Sequence, residues 1–228
     1  DLYAWSCLYQ QKPSAREGGM FPVVNWQFYD PNEAPPMDRR VRLWDLAATE
    51  GGGDWTVGSL VGKSGSNIYV LDVRRFRKSA GGVQDEVVKT AARDGYTPKI
   101  KFEEEKGGSG KSVTEAYRRL LTGHVVEAAK AEGDKESRAT PYSAEQNKRR
   151  VFLPRIGTVD WDVKAFIEEH RKMMGDGRRP KHDDQIDTVA YAVLELLGHG
   201  NVEMWIPSEE TWMSAEQQMN VLLSRGAL

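Results

Sequence analysis

The sequence has little cysteine and no long apolar stretch. Cys7 is the only cysteine among 228 residues, which excludes an internal disulfide and a cysteine-rich zinc module and fits a reducing compartment. No apolar run approaches the roughly 20 residues of a membrane span, and no charged-then-apolar leader precedes the first strand. We therefore expect no membrane partner. Because the chain begins at Asp1, we expect it to be a piece of a longer protein.

The chain also lacks a charge excess. Its net charge is -2, with 39% hydrophobic and 29% charged residues, which is typical of a globular domain. A nucleic-acid partner would have to be bound by local basic clusters, for which phosphate neutralisation is the functional interpretation and solvated surface the alternative. Three such clusters occur: Arg74, Arg75, Arg77 and Lys78; Lys135, Arg138, Lys148, Arg149 and Arg150; and Arg178, Arg179, Lys181 and His182.

Three segments differ in composition. Residues 1–38 are rich in aromatic side chains and hold five of the ten prolines, which predicts a linker arm or an N-terminal extension packed on its own domain. Residues 39–198 have the patterning of one compact domain. Residues 199–228 form a C-terminal tail, in which Trp205 and Trp212 favour packing or a partner site.

Apolar periodicity predicts a β-β-β-α-β-α-β order in the compact domain. Strands are expected at 41–48, 55–61, 68–76, 99–103 and 124–128, with helices at 83–93 and 113–121. Short Gly-rich connections indicate that the first three strands are antiparallel, and helical crossovers make the last two parallel. Residues 129–150 are interpreted as a loop or mobile hairpin, and two helices follow. The fold class is α/β, with a mixed five-stranded sheet flanked by helices.

Acidic residues occur where this topology brings chain segments together. Asp45 lies within an apolar strand, Glu103 to Glu105 end the fourth strand, and Asp183, Asp184 and Asp187 open the last helix. The first and fourth strands are plausible neighbours, and the last helix can cross them. Mg²⁺ prefers oxygen ligands, and two such ions about 4 Å apart can hydrolyse a phosphodiester. Without a metal, clustered carboxylates would repel one another and take up protons, so the pattern predicts either bound cations or raised carboxylate pKa values.

Two of the three acidic segments also have a structural interpretation, whereas Asp45 is harder to explain in this way. Asp183 is a candidate helix N-cap, Asp184 suits the positive end of the helix, and the three glutamates could be a solvated strand end. The stretch 107–112 looks like a phosphate-binding loop, but the position that needs the first glycine holds Glu105. Nucleotide hydrolysis is therefore a minor alternative.

Taken together, these segments resemble the nuclease domain of the phage terminase large subunit. Residues 44–48 with 53–56 resemble its first motif, and residues 102–105 followed by the Gly-rich stretch resemble its second acidic motif. Residues 133–139 resemble a basic loop segment, and residues 182–187 resemble the third acidic motif. Residues 9–13, with Gly18 and Phe21, resemble the link that follows the packaging ATPase. The similarity covers about residues 5 to 198.

The resemblance implies an RNase H-like fold with two Mg²⁺ or Mn²⁺ ions. Asp45 would bridge both ions, Glu103 would hold one, and Asp183 or Asp184 the other. Asp45, Glu103 and Asp183 would be the catalytic set, with Asp187 in support. The run of glutamates leaves Glu105 open as the second acid. Finally, the resemblance implies that two residues contact DNA or lie in a mobile flap: Lys135 and Arg138.

The function implied is a metal-dependent endonuclease that cuts concatemeric double-stranded viral DNA during genome packaging in the host cytoplasm. Its partners would be DNA, the small terminase subunit, the portal and the ATPase domain of the same polypeptide. Two alternatives stay open. One is another RNase H-like enzyme of the resolvase or integrase type, and the other is a non-catalytic docking domain of a packaging motor.

Overall fold

The structure is a computed structural model that describes residues 19–47, 53–104, 109–130 and 133–198. Within these ranges it contains seven strands: β1 Gln27–Tyr29, β2 Arg39–Asp45, β3 Thr56–Ser64, β4 Asn67–Phe76, β5 Lys99–Glu104, β6 Val126–Lys130 and β7 Val151–Pro154. It contains five α-helices: α1 Ala80–Asp94, α2 Ser109–Leu120, α3 Lys135–Asn147, α4 Val163–Arg171 and α5 Asp184–Leu197.

The strands form one mixed sheet in the order β1-β7-β4-β3-β2-β5-β6. Strands β2, β3 and β4 are antiparallel, and the two-residue turn between β3 and β4 uses Gly65 at positive φ. Strand β5 pairs in parallel with β2, placing Trp44 opposite Phe102, and β6 pairs in parallel with β5. The predicted α/β class, and the predicted contact between the first and fourth strands of the five-stranded core, are confirmed.

Two further strands extend the sheet beyond the predicted five. β1 pairs in parallel with β7, and β7 pairs in parallel with β4. The sequence prediction placed β1 in the linker arm and treated residues 151–154 only as a short extended piece, because three or four residues are too few to establish a period of two. Phe21 and Trp26 lie in the same core as the sheet, with 1% and 5% of their surfaces exposed.

Helices cover both faces of the sheet. One core contains apolar residues of α1 and α2, and the other contains apolar residues of α3, α4 and α5. Successive strand side chains point to opposite faces, so in β2 Leu43 joins the α5 core and Trp44 joins the α1 core. Over the residues described, no helix is both long and apolar enough to cross a membrane.

The prediction of a loop or mobile hairpin at 129–150 is wrong for most of its length. Residues Lys135–Asn147 form α3, and the N-cap residue Asp134 accepts a hydrogen bond from the Ser137 amide at 2.7 Å. The buried face of α3 is largely polar and includes Arg138, Ser143, Glu145 and Gln146. A helix that buries polar side chains gives no apolar period, which is why the sequence pattern did not indicate it.

A buried ion network stabilises the face of β2 that packs against α1. The Arg42 side chain is fully buried and pairs with Asp72 at 2.8 Å and Asp94 at 2.7 Å. It also donates a hydrogen bond to the Gly58 carbonyl at 2.9 Å. Each carboxylate is therefore paired, as buried charge requires, and the network ties β2 to β3, β4 and α1.

Candidate metal centre

Two predicted acids lie side by side where neighbouring parallel strands end. Asp45 and Glu103 each follow the cross-strand pair Trp44–Phe102. Trp44 and Phe102 belong to the α1–α2 core, so the next residue on each strand points to the α5 face. Asp45 and Glu103 therefore share one face and one row, as the sequence predicts.

The third acidic segment lies at the start of α5. Asp183 is the N-cap residue of this helix, but its side chain makes no capping hydrogen bond. Its carboxylate instead accepts from the Lys135 ammonium at 2.6 Å, and the same ammonium lies 2.6 Å from the Asp187 carboxylate. The side chain of Asp183 thus does not act as an ordinary helix cap.

These segments line one polar cleft of about 430 Å³. The cleft brings together the acids Asp45, Glu103, Asp183 and Asp184, which come from three distant parts of the chain. Its remaining walls are Leu46, Ala47, Asp54, Trp55, Lys135, Arg179, Pro180, Lys181 and His182. Glu105, the alternative second acid, lies outside the described residues.

The carboxylates raise one another's affinity for protons. Burial and then the charges of Glu103, Asp184 and Asp187 raise the pKa of Asp45 to about 7, against a lowering effect of Lys135. Burial and then Asp187 raise the pKa of Glu103. Like charges gathered in a low-dielectric cleft favour either protons or bound cations. At neutral pH the acidic cleft is therefore an attractive site for a cation.

Asp184 differs from Asp183 in its bonding. Its Oδ2 atom is buried and has no hydrogen-bond partner among the described residues. Burial and then Asp183 raise its pKa. Asp183, in contrast, is engaged by Lys135 and lies 3.8 Å from Arg179. An acceptor that is buried and unpaired is costly, so Asp184 has an oxygen available for a ligand in the cleft.

The two cations predicted to contact DNA lie beside these acids. Burial lowers the pKa of Lys135, but its hydrogen bonds to Asp183 and Asp187 outweigh this and raise it. Arg138 is 8% exposed, lies 3.5 Å from the Asp187 carboxylate and stacks over the Tyr191 ring. Both side chains therefore neutralise Asp187 from α3, and little of Arg138 is accessible to a macromolecule.

The acidic side chains of the cleft are suitable ligands for a hard divalent ion, although their carboxylates do not form a compact metal-binding group. Among the described residues, no three Asp, Glu, His or Cys side chains lie close enough together to form a metal-binding group. Asp45, Glu103 and Asp184 nevertheless line the same cleft, and their oxygens are the ligands that Mg²⁺ and Mn²⁺ prefer. The unpaired Asp184 oxygen fits such an ion better than it fits an ordinary ion pair.

Sequence reasoning missed two residues that support the acids. The Tyr191 hydroxyl, two turns along α5, donates to Glu103 at 3.4 Å. Glu169 of α4 accepts from the Gln185 amide at 2.9 Å and the Ile186 amide at 3.3 Å, and thereby caps α5. Neither residue belongs to an acidic motif, and only the helical spacing of Asp184, Asp187 and Tyr191 could have indicated Tyr191.

The topology and the acidic cleft define an α/β protein of the RNase H-like class. The family model described as the terminase RNaseH-like domain matches residues 42–196, so the chain belongs to that family. The predicted membership of the terminase large-subunit nuclease domains is confirmed. No curated protein matches the chain in sequence.

Three solved structures show the same fold at low identity. The nuclease domain of the P22 large terminase is 16% identical, with a TM-score of 0.57 over 81% of this chain and 94% of that one. The SPP1 large terminase nuclease domain with bound Mn is 15% identical, with a TM-score of 0.52 over 77% and 98%. The large terminase of a thermophilic bacteriophage is 15% identical, with a TM-score of 0.57 over 78% and 44%. This chain thus spans less than half of that last protein.

Proposed function

We propose that this chain is a divalent-metal-dependent endonuclease that cuts concatemeric double-stranded viral DNA during genome packaging. The family supports a nuclease role in phage packaging, and the SPP1 relative was solved with bound Mn. The observation that carries the proposal is the cleft lined by Asp45, Glu103 and Asp184, in which the buried Oδ2 of Asp184 has no hydrogen-bond partner among the described residues. By family, the small terminase subunit, the portal and a linked ATPase domain would be its partners.

The residues present divide into ligands and supports. Asp45, Glu103 and Asp184 would hold two Mg²⁺ or Mn²⁺ ions, with Asp45 between the other two segments. The sequence weakly favoured Asp183 over Asp184 as the third ligand, but the pairing of Asp183 with Lys135 supports Asp184 in that role instead. We propose Lys135 and Arg138 as counter-ions of Asp183 and Asp187, a role that their contacts support more directly than DNA binding.

When bound, the divalent ions would supply activation of the attacking water and stabilisation of the leaving oxygen in phosphodiester hydrolysis. The chain itself orients the groups that bind them. Adjacent strand ends fix Asp45 and Glu103, the Tyr191 hydroxyl donates to Glu103, and the capped first turn of α5 fixes Asp184. The raised pKa of Asp45, to about 7, falls when a cation replaces the proton.

Plasmid cleavage tests the proposal. The purified chain is incubated with supercoiled DNA and Mg²⁺, Mn²⁺ or EDTA, beside Asp45→Asn and the control Asp85→Asn, which alters an exposed acid of α1. We expect nicking and linearisation with either metal, none with EDTA, and loss of at least about a hundredfold in Asp45→Asn only. The thermal midpoint should rise with Mn²⁺ in the parent and in Asp85→Asn, but much less in Asp45→Asn.

Three results would contradict the proposal. If Asp45→Asn cuts as well as the parent, the activity belongs to another site or protein. If neither cleavage nor a Mn²⁺-dependent thermal shift is found, the docking-domain alternative replaces it. If four-way junctions are cut and linear or supercoiled duplexes are not, the chain is a resolvase-type enzyme.

A further inference from the structure

A second cleft adjoins the metal centre. It has a volume of about 440 Å³ and is lined by residues of β4 and α4, by the segments that adjoin them, and by Glu86 and Gln185. Of the acids in its lining, Glu86 pairs with Lys78 and Asp160 with Arg74, and Asp162 caps α4. Trp55, which immediately precedes β3, lines both this cleft and the acidic one. A ligand that crosses the acidic cleft can therefore continue over Trp55 into the second cleft.

The second cleft is aligned with the acids by the sheet itself. Val57 of β3 pairs with Asp45 on one side and with Arg75 on the other, so these three residues form one row across three strands. Two strand spacings separate Arg75 from Asp45, which is about 10 Å. Arg75 points to the α5 face, where its charge lowers the pKa of Asp184 against the larger raising effect of burial. Arg75 thus belongs to the electrostatic surroundings of the metal centre.

Two arginines pack on Trp55. The guanidinium carbon of Arg75 lies 4.5 Å from the Trp55 ring centroid, and that of Arg77 lies 4.0 Å from it. Stacking on an aromatic face fixes a guanidinium while leaving its outer N–H groups free to bind an anion with two hydrogen bonds. The Trp55 ring therefore holds the guanidinium groups of Arg75 and Arg77 at the edge of the acidic cleft.

These arginines are poorly neutralised by the protein. Within the described ranges Arg77 pairs with no carboxylate, and the ion pair of Arg75 is a 3.9 Å contact with Glu169. The Nε atoms of both arginines are buried and have no hydrogen-bond partner among the described residues. Nearby Arg74 differs, because it binds Asp72 and Asp160, each at 3.0 Å. Two adjacent cations without a carboxylate between them favour an external anion.

We propose that Arg75 and Arg77, held by Trp55, form a binding site for the phosphodiester backbone of duplex DNA. This site rests on the proposed nuclease function and supplies the DNA contact for which Arg138 is too buried. The backbone separation of about 10 Å between Arg75 and Asp45 equals the rise of about three base pairs along the axis of duplex DNA, so Arg75 would hold a phosphate within a few nucleotides of the one that faces the carboxylates. Contacts of this kind position DNA without reading its sequence.

The test measures binding separately from cutting. In the Asp45→Asn background with EDTA, fluorescence anisotropy gives the affinity for two unrelated duplexes at several salt concentrations. Arg75→Gln, Arg77→Gln and their combination are compared with Arg119→Gln, which removes an exposed charge from α2 on the opposite face. The slope of log affinity against log salt should fall by about one for each arginine and about two for both, equally on both duplexes. Arg119→Gln should leave it unchanged.

Two further variants distinguish a specific loss of DNA binding from a loss of folding. Arg77→Lys retains the charge but not the planar fork, so the salt slope should be retained while affinity falls. Trp55→Leu should weaken binding through both arginines without removing charge. If the double variant matches Arg119→Gln in affinity and slope while its thermal midpoint is unchanged, the phosphate site is overturned, whether or not the parent cuts DNA. If the slope falls but the parent never cuts, the phosphate site stands and the nuclease proposal fails.

Discussion

The carboxylate of Glu169 accepts hydrogen bonds from the backbone and side-chain amides of Gln185, at 2.9 and 2.6 Å. The first N–H groups of a helix lack partners within the helix. Here they are satisfied by a residue of α4, so α4 fixes the first turn of α5, which carries Asp184 and Asp187. The geometry of the candidate metal centre therefore depends on a contact outside it.

Replacing Glu169 by alanine should destabilise the protein by about 1–3 kcal/mol, because buried amides at the start of α5 lose their acceptor. Urea unfolding measures the effect. Glu168→Ala is the matched control, because Glu168 is more exposed and pairs only with Arg171 at 2.9 Å among the described residues; we expect a change of less than about 1 kcal/mol. Glu169→Gln, which keeps one acceptor oxygen, should lie between the two. Equal losses for Glu168→Ala and Glu169→Ala would show that the cap contributes nothing.

Gly58 and Gly62 of β3 offer a matched pair of glycine substitutions. A Cβ at Gly58 would overlap the ring of Trp44, which is 1% exposed and has no room to move. A Cβ at Gly62 would come within 2.8 Å of the flexible Met37 thioether. We expect Gly58→Ala to cost about 1–3 kcal/mol through overpacking, and Gly62→Ala clearly less.

Thermal unfolding and metal binding measure the two consequences. Trp44 precedes Asp45, so Gly58→Ala should also weaken the Mn²⁺-dependent thermal shift, whereas Gly62→Ala should leave it intact. Equal stability of the two variants would mean that the Trp44 ring can relocate.

His170 should make folding sensitive to acid. Burial lowers its pKa from 6.5 to about 3, and the ring lies between the Phe166 carbonyl, 2.8 Å from Nδ1, and the Tyr142 hydroxyl, 3.1 Å from Nε2. Because the folded pKa is below the unfolded one, this stability is present above about pH 6.5 and is lost as the pH falls toward 3. Between pH 7 and pH 5 the loss should be about 2 kcal/mol.

Denaturant unfolding of the parent and of His170→Asn at both pH values isolates this contribution. The asparagine amide can still donate to the Phe166 carbonyl but does not take up a proton. Burial raises the pKa of Glu169 to about 7, which gives a pH effect of the opposite sign, but that effect is common to both proteins. An equal change in the two proteins between pH 7 and pH 5 would refute the prediction.

The sequence was sufficient to place two of the acids. A carboxylate within an apolar strand is costly unless it is paired or binds a cation, whereas the glutamates alone could be a solvated strand end. The predicted pairing of the two strands linked them, and the parallel pairing of β2 with β5 does bring Asp45 and Glu103 together. The sequence left the choice between Asp183 and Asp184 open, with only a weak preference for Asp183, because both suit a helix start. The proposal of Asp184 rests on the hydrogen bond between Lys135 and Asp183, which lie 48 positions apart in the sequence.

The remaining differences have a common physical cause. Apolar periodicity detects elements that bury apolar side chains, and α3 buries Arg138 and Gln146 instead. Strands β1 and β7 are too short to show a period. The sequence does not distinguish Glu169 from the other acidic residues, because its role as a cap depends on how α4 packs against the start of α5. Polar contacts between distant segments leave no periodic trace in a sequence.

The edge strand β1 has a mechanical consequence. Tension on the chain ahead of Gln27 would enter the sheet through the three-residue ladder with β7 and through the anchored rings of Phe21 and Trp26. Once that edge gives way, residues 30–38 would carry the load along the backbone to β2, the strand that ends at Asp45. A pull from that direction would therefore detach the edge of the sheet before it loaded the strand that ends at the candidate metal centre.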